Sequence, residues 1–272
     1  MLLILIMSPM FGQKAESHKI LNGKLKKSNY KKLLKSAQKA DVVFFGEMHD
    51  DPISHWMELT LLKDLHKNNE LILALEMFER DNQEVLSEYL NGNIDLETFQ
   101  SKARLWNNYD TDYAPLIEYA KDNHLKVIAS NIPRRYATMV YKEGFVAIEG
   151  LVGEEKVFMA PLPIPYDPNL PGYQKMLNMV EGHGGENFPK AQAIKDATMA
   201  HSIAQNFKQG SKLFHANGKY HSDNFEGIIW YLNKYNPNLN VLTISTVMEG
   251  EETSVGIADF IIVVDENMPK SY

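Results

Sequence analysis

Short apolar runs alternate with helical patterns along most of the chain. A run that is apolar throughout and only a few residues long is typical of a strand buried on both faces. Such runs occupy residues 41–45, 71–77, 126–130, 212–216, 240–246 and 259–264. Helical patterns fill 52–68, 81–90, 95–105 and 111–123 between them. This alternation predicts an α/β fold, in which a mostly parallel sheet is flanked by crossover helices.

The middle of the chain breaks the alternation. Five prolines lie within residues 158–171, and proline is excluded from helix interiors and central strands. Helical patterns follow at 173–181 and 190–207 before a further strand-like run begins at Lys212. We therefore predict an α/β core formed by residues 14–149 and 208–272, with a smaller helical subdomain inserted at 150–207.

Composition excludes several kinds of partner and chemistry. The 272 residues carry a formal net charge of -7, so the chain lacks the basic surface that nucleic acid attracts, and we expect no nucleic-acid partner. The sequence contains 0 cysteines. Disulfides, zinc–cysteine sites and cysteine nucleophiles are therefore excluded within it.

Residues 1–13 form an apolar run that a polar, charged stretch follows. The run is shorter than the roughly 20 residues that a membrane-spanning helix needs. It is typical of the apolar segment of a secretory signal, although the usual basic start is missing. We therefore expect an exported protein of the periplasm or cell surface, with membrane association left open. The alternative is an ordinary N-terminal segment.

A Gly-x-x-His pattern occurs twice, each time where a strand-like run ends. It comprises Gly46 to His49 and Gly218 to His221, and an acidic residue follows soon after each. Glycine allows the backbone to turn sharply at such a point. Ligands of open α/β sheets bind outside the carboxyl ends of the strands. The two histidines are therefore expected to converge on one pocket although they are far apart in sequence.

Other polar residues also follow the apolar runs. Glu47, Glu76, Asn131 and Arg134 all stand at such strand ends. Imidazoles together with carboxylates suit a divalent transition metal, and such a metal can activate water for hydrolysis. The pattern predicts a metal held by His49, Glu76 and His221. The alternative is that these groups pair with one another and cap helices.

The inserted helical segment offers a second kind of site. A tyrosinate can ligate ferric haem, and lysine or histidine can pair with its propionates. The segment contains several methionines. Its tyrosine, lysine and histidine candidates are Tyr166, Tyr173, Lys175, His183, Lys190 and His201. A methionine-rich helical core with exposed polar tips would produce the same pattern.

Four ordered motifs resemble the ChaN-like haem-binding uptake proteins of the Tiki/TraB-like superfamily. They are Phe45-Gly46-Glu47-Met48-His49-Asp50, Leu75-Glu76-Met77-Phe78-Glu79-Arg80, Asn131-Ile132-Pro133-Arg134 and Asn217-Gly218-Lys219-Tyr220-His221-Ser222-Asp223. The segment 192–204 also resembles a helix of this family, and the resemblance extends over about residues 38–265. It implies a large parallel sheet with a smaller helical domain, consistent with the pattern above.

The resemblance implies haem bound at a dimer interface, with a tyrosine of one subunit on iron and a histidine and a lysine of the other on the propionates. Tyr173 is the ligand that we favour, with Lys175 and His183 nearby, and Tyr220 is the alternative. We therefore expect a haem-linked homodimer that assists haem-iron uptake, with an outer-membrane haem receptor as a candidate partner.

Another branch of the superfamily implies a metal-dependent, peptidase-like hydrolase instead. The positions matching that branch are Glu47, His49, Glu76 and His221, with Asn131 and Arg134 in support.

Overall fold

The computed structural model describes residues 16–179 and 185–271. Its centre is a seven-stranded sheet with the strand order β1-β7-β6-β2-β5-β3-β4. Only β1 runs antiparallel to its neighbour, and the other pairs are parallel. The strands are β1 (His18–Asn22), β2 (Val42–Glu47), β3 (Leu71–Glu79), β4 (Lys126–Asn131), β5 (Lys212–Gly218), β6 (Val241–Met248) and β7 (Phe260–Val264). This sheet, flanked by helices, confirms the predicted α/β fold.

The sequence pattern located six of these strands and missed β1. Strand β1 lies at the edge of the sheet, and only Ile20 of its five residues is buried. An edge strand does not need the continuous apolar run that marks a strand covered on both faces. The signal on which the prediction depended is therefore absent from β1.

Helices connect the strands and cover both faces of the sheet. Side chains of Asn29, Asp51 and Asp95 cap the helices that follow them, each accepting a hydrogen bond from a backbone N–H three residues on. The α-helices are α1 (Tyr30–Ala37), α2 (Pro52–His66), α3 (Gln83–Leu90), α4 (Leu96–Lys102), α5 (Ala114–Asp122), α6 (Arg134–Glu143), α7 (Val146–Glu149), α8 (Gly153–Lys156), α9 (Pro171–Met179), α10 (Asn187–Asn206) and α11 (Ile228–Tyr235). A π-helical segment, Tyr109–Tyr113, leads into α5.

Two hydrophobic cores lie on opposite faces of the sheet. Val43 and Phe45 of β2 pack with α2 and α5, whereas Val42 and Phe44 pack with α6, α10 and α11. The alternation follows from the two-residue period of a strand. The same alternation places Glu47 on the face of the sheet that Phe45 occupies, next to α2 and α5. It places Glu76 of β3 on the opposite face, with Ile72 and Ala74, next to α10. The position of each glutamate in its strand therefore decides on which face of the sheet its side chain lies.

The predicted division into a core and an insertion at 150–207 stays a prediction. In the structure, α10 lies on the sheet, and Ala193, Ala197 and Ile203 share a core with the strands. The predicted signal segment, residues 1–13, lies outside the described residues. Within the part of the chain that the structure describes, no helix is both long and apolar enough to cross a membrane.

Candidate functional site

The structure brings the two Gly-x-x-His motifs together. Strands β2 and β5 are neighbours, and Glu47 pairs with Gly218 at their carboxyl ends. A Cβ atom on Gly218 would lie only 2.6 Å from His49 Nε2 and 3.6 Å from Glu76 Oε2. Glycine at this position therefore lets the His49 ring approach the end of β5, and His49, Glu76 and His221 all lie around it.

Glu76, His221 and Asp196 form one buried group, called here the Glu76–His221 cluster. His221 Nε2 lies 3.1 Å from Glu76 Oε1, and His221 Nδ1 lies 2.5 Å from Asp196 Oδ1. The backbone N–H of Gly218 donates to Glu76 Oε2 at 2.7 Å. Both nitrogens of His221 are thus directed at carboxylates.

The charges of this cluster support one another. Burial would lower the pKa of His221, but the Glu76 and Asp196 carboxylates outweigh it and raise the pKa to about 10. Burial would raise the pKa of Glu76, yet the charge of His221 holds it well below its ordinary value. His221 is therefore a buried imidazolium at neutral pH, held between Glu76 and Asp196.

Glu47, His55 and Glu58 form a separate group, called here the β2–α2 cluster. His55 Nδ1 lies 3.5 Å from Glu47 Oε2 and 3.3 Å from Glu58 Oε2. Tyr113 donates to Glu47 Oε1 at 2.7 Å, and His49 Nδ1 donates to the same oxygen at 2.6 Å. One potential metal-ligating atom from each of Glu47, His55 and Glu58 lies within 4.8 Å of the other two. Among the described residues, His49, Glu76 and His221 do not form such a group.

Burial shapes the acidity of this cluster. Burial, and then the neighbouring Glu47 carboxylate, raise the pKa of Glu58 well above its ordinary value. Burial also opposes ionisation of Glu47, but the hydrogen bond from His49 and the charge of His55 leave the pKa of Glu47 lowered. His49, which contacts both clusters, has a raised pKa because its hydrogen bond to Glu47 and the charge of Glu76 outweigh its own burial.

The sequence analysis missed His55 and Glu58. Trp56, the largest apolar residue of α2, is 53% exposed. The buried residues of α2 are Ser54, His55, Met57, Glu58, Leu61, Leu62 and Leu65. Their spacing is that of one helix face, so a histidine and a glutamate within an otherwise apolar face were the signal that could have found this cluster.

A cavity of about 390 Å³ opens beside the Glu76–His221 cluster. His49, His221 and Gly218 line its inner wall, and the Tyr220 side chain, which is 55% exposed, lies at its edge. Lys175 and the apolar side chains of Met176, Phe188 and Ile257 also line the cavity, together with the acidic residues Asp223, Glu226, Glu251 and Glu252. The cavity therefore offers an accessible phenol, an ammonium group and an apolar wall together.

Of the residues predicted to bind haem, one lines the cavity and another is buried. Lys175 lines the cavity, whereas Tyr173 is only 3% exposed and lies beneath it. The Tyr173 hydroxyl donates to Asp196 Oδ2 at 3.4 Å, and its ring stacks on Tyr166. Burial and the Asp196 carboxylate raise the pKa of Tyr173, which opposes formation of a tyrosinate. His183 lies outside the described residues.

Arg134 begins α6 and is exposed. It lines a shallow depression of about 180 Å³ with Lys195 and Gln192. Of the residues lining this depression, Gln192 and Phe188 also line the larger cavity. The structure therefore places Arg134 beside the cavity that contains His49, Gly218 and His221, and not within it.

Residues 33–232 match the family described as haem-binding uptake, Tiki superfamily, ChaN. The chain belongs to this family. The match includes both Gly-x-x-His motifs, Glu76 and the helix that carries Asp196. The resemblance drawn from the four sequence motifs is therefore confirmed.

Solved structures support the fold. A structure described as cofacial heme binding to ChaN of Campylobacter jejuni superposes with a TM-score of 0.72 at 18% identity, over 93% of this chain and 98% of that chain. A Bacillus cereus protein superposes with a TM-score of 0.56 at 11% identity, over 94% of this chain and 96% of that chain. At such identities, the likeness concerns the fold alone.

One curated relative is a plant protein. The chain is 31% identical to Protein RETICULATA-RELATED 5, chloroplastic, of Arabidopsis thaliana, over 206 residues and 69% of this chain. The matched region spans only 27% of that protein. What the full-length plant protein does is therefore not carried over to this chain.

Proposed function

We propose that the chain binds haem in the cavity beside His49 and assists haem-iron uptake, with Tyr220 as the iron ligand. The observation that carries this proposal is the exposed Tyr220 phenol at the edge of a cavity that also presents Lys175 and apolar side chains. Membership of a haem-binding family supports the choice of ligand. Haem supplies a ferric iron that accepts a phenolate as axial ligand.

The donor set of the cavity fits haem better through Tyr220 than through Tyr173. Tyr220 reaches solvent, whereas the Tyr173 hydroxyl is buried and donates to Asp196. A ligand role for Tyr173 would break that hydrogen bond and leave the Asp196 carboxylate without this donor. Lys175 is exposed on α9 and is the residue that we assign to a propionate. Met176 and Phe188 supply apolar contacts for the macrocycle.

A second copy of the chain would complete the site. The cavity volume of about 390 Å³ is near the lower end of the roughly 300–1,000 Å³ of pockets that enclose drug-sized ligands. A flat macrocycle larger than such ligands would keep one face exposed, and a facing haem on a second subunit would cover it. The haem-linked homodimer that the sequence motifs imply would provide this cover. Export to the periplasm or cell surface and an outer-membrane receptor partner rest on the sequence and remain proposals.

Haemin titration followed by absorbance and sedimentation tests this function. We expect a saturable Soret shift at about one haem per chain, with dimers forming as haem is added, because a ligand that bridges two subunits favours association by mass action. Tyr220→Phe should abolish the tyrosinate spectrum. Tyr173→Phe is the matched control and should keep it. Absence of any saturable shift in the wild type would refute haem binding, and the opposite result for the two variants would move the ligand to Tyr173.

The Glu76–His221 cluster favours a second candidate function, a metal-dependent hydrolase. The His49 side chain is 35% exposed and lies beside Glu76 at the cavity wall. His221 could join a metal there only by releasing a carboxylate, since both of its nitrogens are engaged. Peptide hydrolysis with added manganese or cobalt should then depend on His49, and equal rates for the wild type and His49→Ala would exclude this function.

A further inference from the structure

His55 and Glu58 of the β2–α2 cluster take no part in the haem or hydrolase proposals, yet the charges of this cluster are unbalanced. Glu47, Glu58 and the adjacent Asp112 are almost fully buried. The ion-pair contacts found for these carboxyl groups among the described residues all involve His49 or His55. Buried carboxylates are costly unless they are paired, protonated or bound to a metal.

The Nδ1 nitrogen of His55 faces the carboxyl groups of Glu47 and Glu58. His55 Nε2 lies 3.2 Å from the backbone carbonyl oxygen of His49, a group that can only accept a hydrogen bond. The Nε2 nitrogen of His55 therefore carries a proton and donates to this carbonyl oxygen. His55 Nδ1 is the ring nitrogen that remains to interact with Glu47 and Glu58, so a proton or a metal ion must lie between the three groups.

Two oxygens of the cluster are buried without a hydrogen-bond donor. They are Glu47 Oε2 and Glu58 Oε1, which receive no hydrogen bond from any described residue apart from the one that Glu47 and Glu58 can share when Glu58 is protonated. The other Glu47 oxygen accepts from both Tyr113 and His49. The unpartnered Glu47 Oε2 is the oxygen that faces His55 Nδ1. Glu47 Oε2 therefore keeps free acceptor capacity on the side of His55, and the Glu47 and Glu58 carboxyl groups lie within hydrogen-bond reach of each other.

The spacing of the cluster matches a coordination shell. Ligands that are about 2.1 Å from a tetrahedral metal ion lie about 3.4 Å from one another. The separations from His55 Nδ1 to Glu47 Oε2 and Glu58 Oε2 are 3.5 and 3.3 Å. We propose that Glu47, His55 and Glu58 bind a divalent transition-metal ion, such as Zn²⁺ or Mn²⁺, through one imidazole nitrogen and carboxylate oxygens.

The site would support the cavity without being part of it. Glu47 would contact the metal through Oε2 and hold His49 through Oε1, to which His49 Nδ1 donates. A metal-bound carboxylate that also orients a neighbouring ring fixes that ring in place. The metal would therefore act as a structural ion that positions His49 at the cavity wall. This inference does not depend on haem binding.

A proton shared by Glu47 and Glu58 is the competing explanation, and the Glu58→Gln variant separates the two. Glutamine keeps the shape of the side chain and can donate to Glu47 in place of a shared proton. It removes an anionic metal ligand. A metal site therefore predicts damage from this substitution, whereas a shared proton predicts tolerance.

The experiment uses the full chain, stripped with EDTA, dialysed and then titrated with ZnCl₂ or MnCl₂. Metal content is measured by inductively coupled plasma mass spectrometry, and the melting temperature is measured with and without EDTA. We expect about one ion per wild-type chain and a melting temperature that rises with metal, because the ion binds the folded state. Glu58→Gln should weaken binding by about 10–100-fold or more and should abolish the effect of EDTA on melting.

Two further measurements keep the proposal testable. His221→Asn alters the other cluster and should still bind one ion. Zinc-edge X-ray absorption of the loaded wild type should show one imidazole among oxygen ligands, a result that does not depend on any variant folding. Substoichiometric metal in the wild type, or a Glu58→Gln variant that melts as the wild type does in every condition, would overturn the proposal in favour of the shared proton.

Discussion

The Glu76–His221 cluster and the β2–α2 cluster are built from the same residue types on opposite faces of one sheet, yet they balance charge differently. In the first, a single imidazolium lies between two carboxylates. In the second, a histidine that is hydrogen-bonded to a backbone carbonyl faces two carboxylates, two oxygens of which have no donor among the described residues. In the first cluster the imidazolium contacts both carboxylates, whereas in the second two carboxylate oxygens have no donor from outside the cluster.

This difference shows that the position of a glutamate in its strand does not by itself determine its partners. Glu47 is the last residue of β2, Glu76 follows the first apolar run of β3, and both are buried. Their partners differ because Glu47 faces α2, which carries His55, whereas Glu76 faces the side of the sheet that holds Asp196 of α10. The chemistry of each glutamate is therefore set by the helix that covers its face.

The largest expected effect is on the free energy of unfolding, when a glutamate of each cluster is replaced by glutamine. Glu76→Gln should lower the free energy of unfolding by about 1.5–3 kcal/mol, because it removes the carboxylate that pairs with His221 Nε2 and leaves the buried imidazolium with Asp196 alone. Glu58→Gln, in protein freed of metal with EDTA, should cost less than about 1 kcal/mol, since its amide can donate to Glu47. Urea unfolding at pH 7 measures both. Equal costs would show that the two clusters do not differ in charge balance.

Alkaline pH should weaken the Glu76–His221 cluster next. Because the pKa of His221 is raised to about 10 in the folded protein, its stabilising effect is complete below the unfolded value of about 6.5 and is lost as pH rises through 10. His215, which is also buried on β5, has a pKa lowered to about 4 because burial outweighs its hydrogen bond to Asn217. It should stay neutral over the same range.

Histidine NMR titration checks this difference. We expect the His221 ring to titrate near pH 10 and the His215 ring near pH 4. Asp196→Asn should lower the His221 pKa and leave His215 unchanged. An imidazole at position 221 that titrates near its ordinary pKa would contradict the buried ion pair.

A smaller effect concerns His49, the residue that contacts both clusters. Gly218→Ala would bring a Cβ atom to 2.6 Å from His49 Nε2, so the ring must move. The cost should be about 1–3 kcal/mol, as for other overpacked sites, and the raised pKa of His49 should fall because its hydrogen bond to Glu47 is disturbed. Gly153→Ala is the control, since nothing lies within 4 Å of its Cβ position. Identical His49 titration in both variants would argue against this contact.

The fold and the first cluster could be predicted largely from local sequence. Buried parallel strands leave continuous apolar runs, and the polar residues that end them, such as His49, Glu76 and His221, stand at one edge of the sheet. Asp196 is different, because it lies in the middle of a helix whose position on the sheet depends on the crossover between β4 and β5. Only the tertiary structure brings it to His221.

The second cluster and the haem ligand were harder to predict, for two physical reasons. His55 and Glu58 lie on the buried face of α2, but their face is fixed only when the helix packs, and Trp56 competes as an anchor in the sequence pattern. Tyr173 and Tyr220 are equivalent as phenols. Their exposed fractions, 3% and 55%, come from packing of α9 and the end of β5, which no local pattern encodes.

The smallest expected effect concerns two buried tyrosines, each of which donates a hydrogen bond to a carboxylate of one cluster. Tyr113 donates to Glu47 at 2.7 Å, whereas Tyr173 donates to Asp196 at 3.4 Å. Tyr113→Phe should therefore cost about 1–2 kcal/mol, and Tyr173→Phe less than about 1 kcal/mol, because the shorter bond to a buried carboxylate is the stronger one. Urea unfolding of both variants with and without bound metal measures this. If Glu47 also binds a metal ion, loss of the Tyr113 hydroxyl should weaken metal binding too, whereas Tyr173→Phe should leave it unchanged.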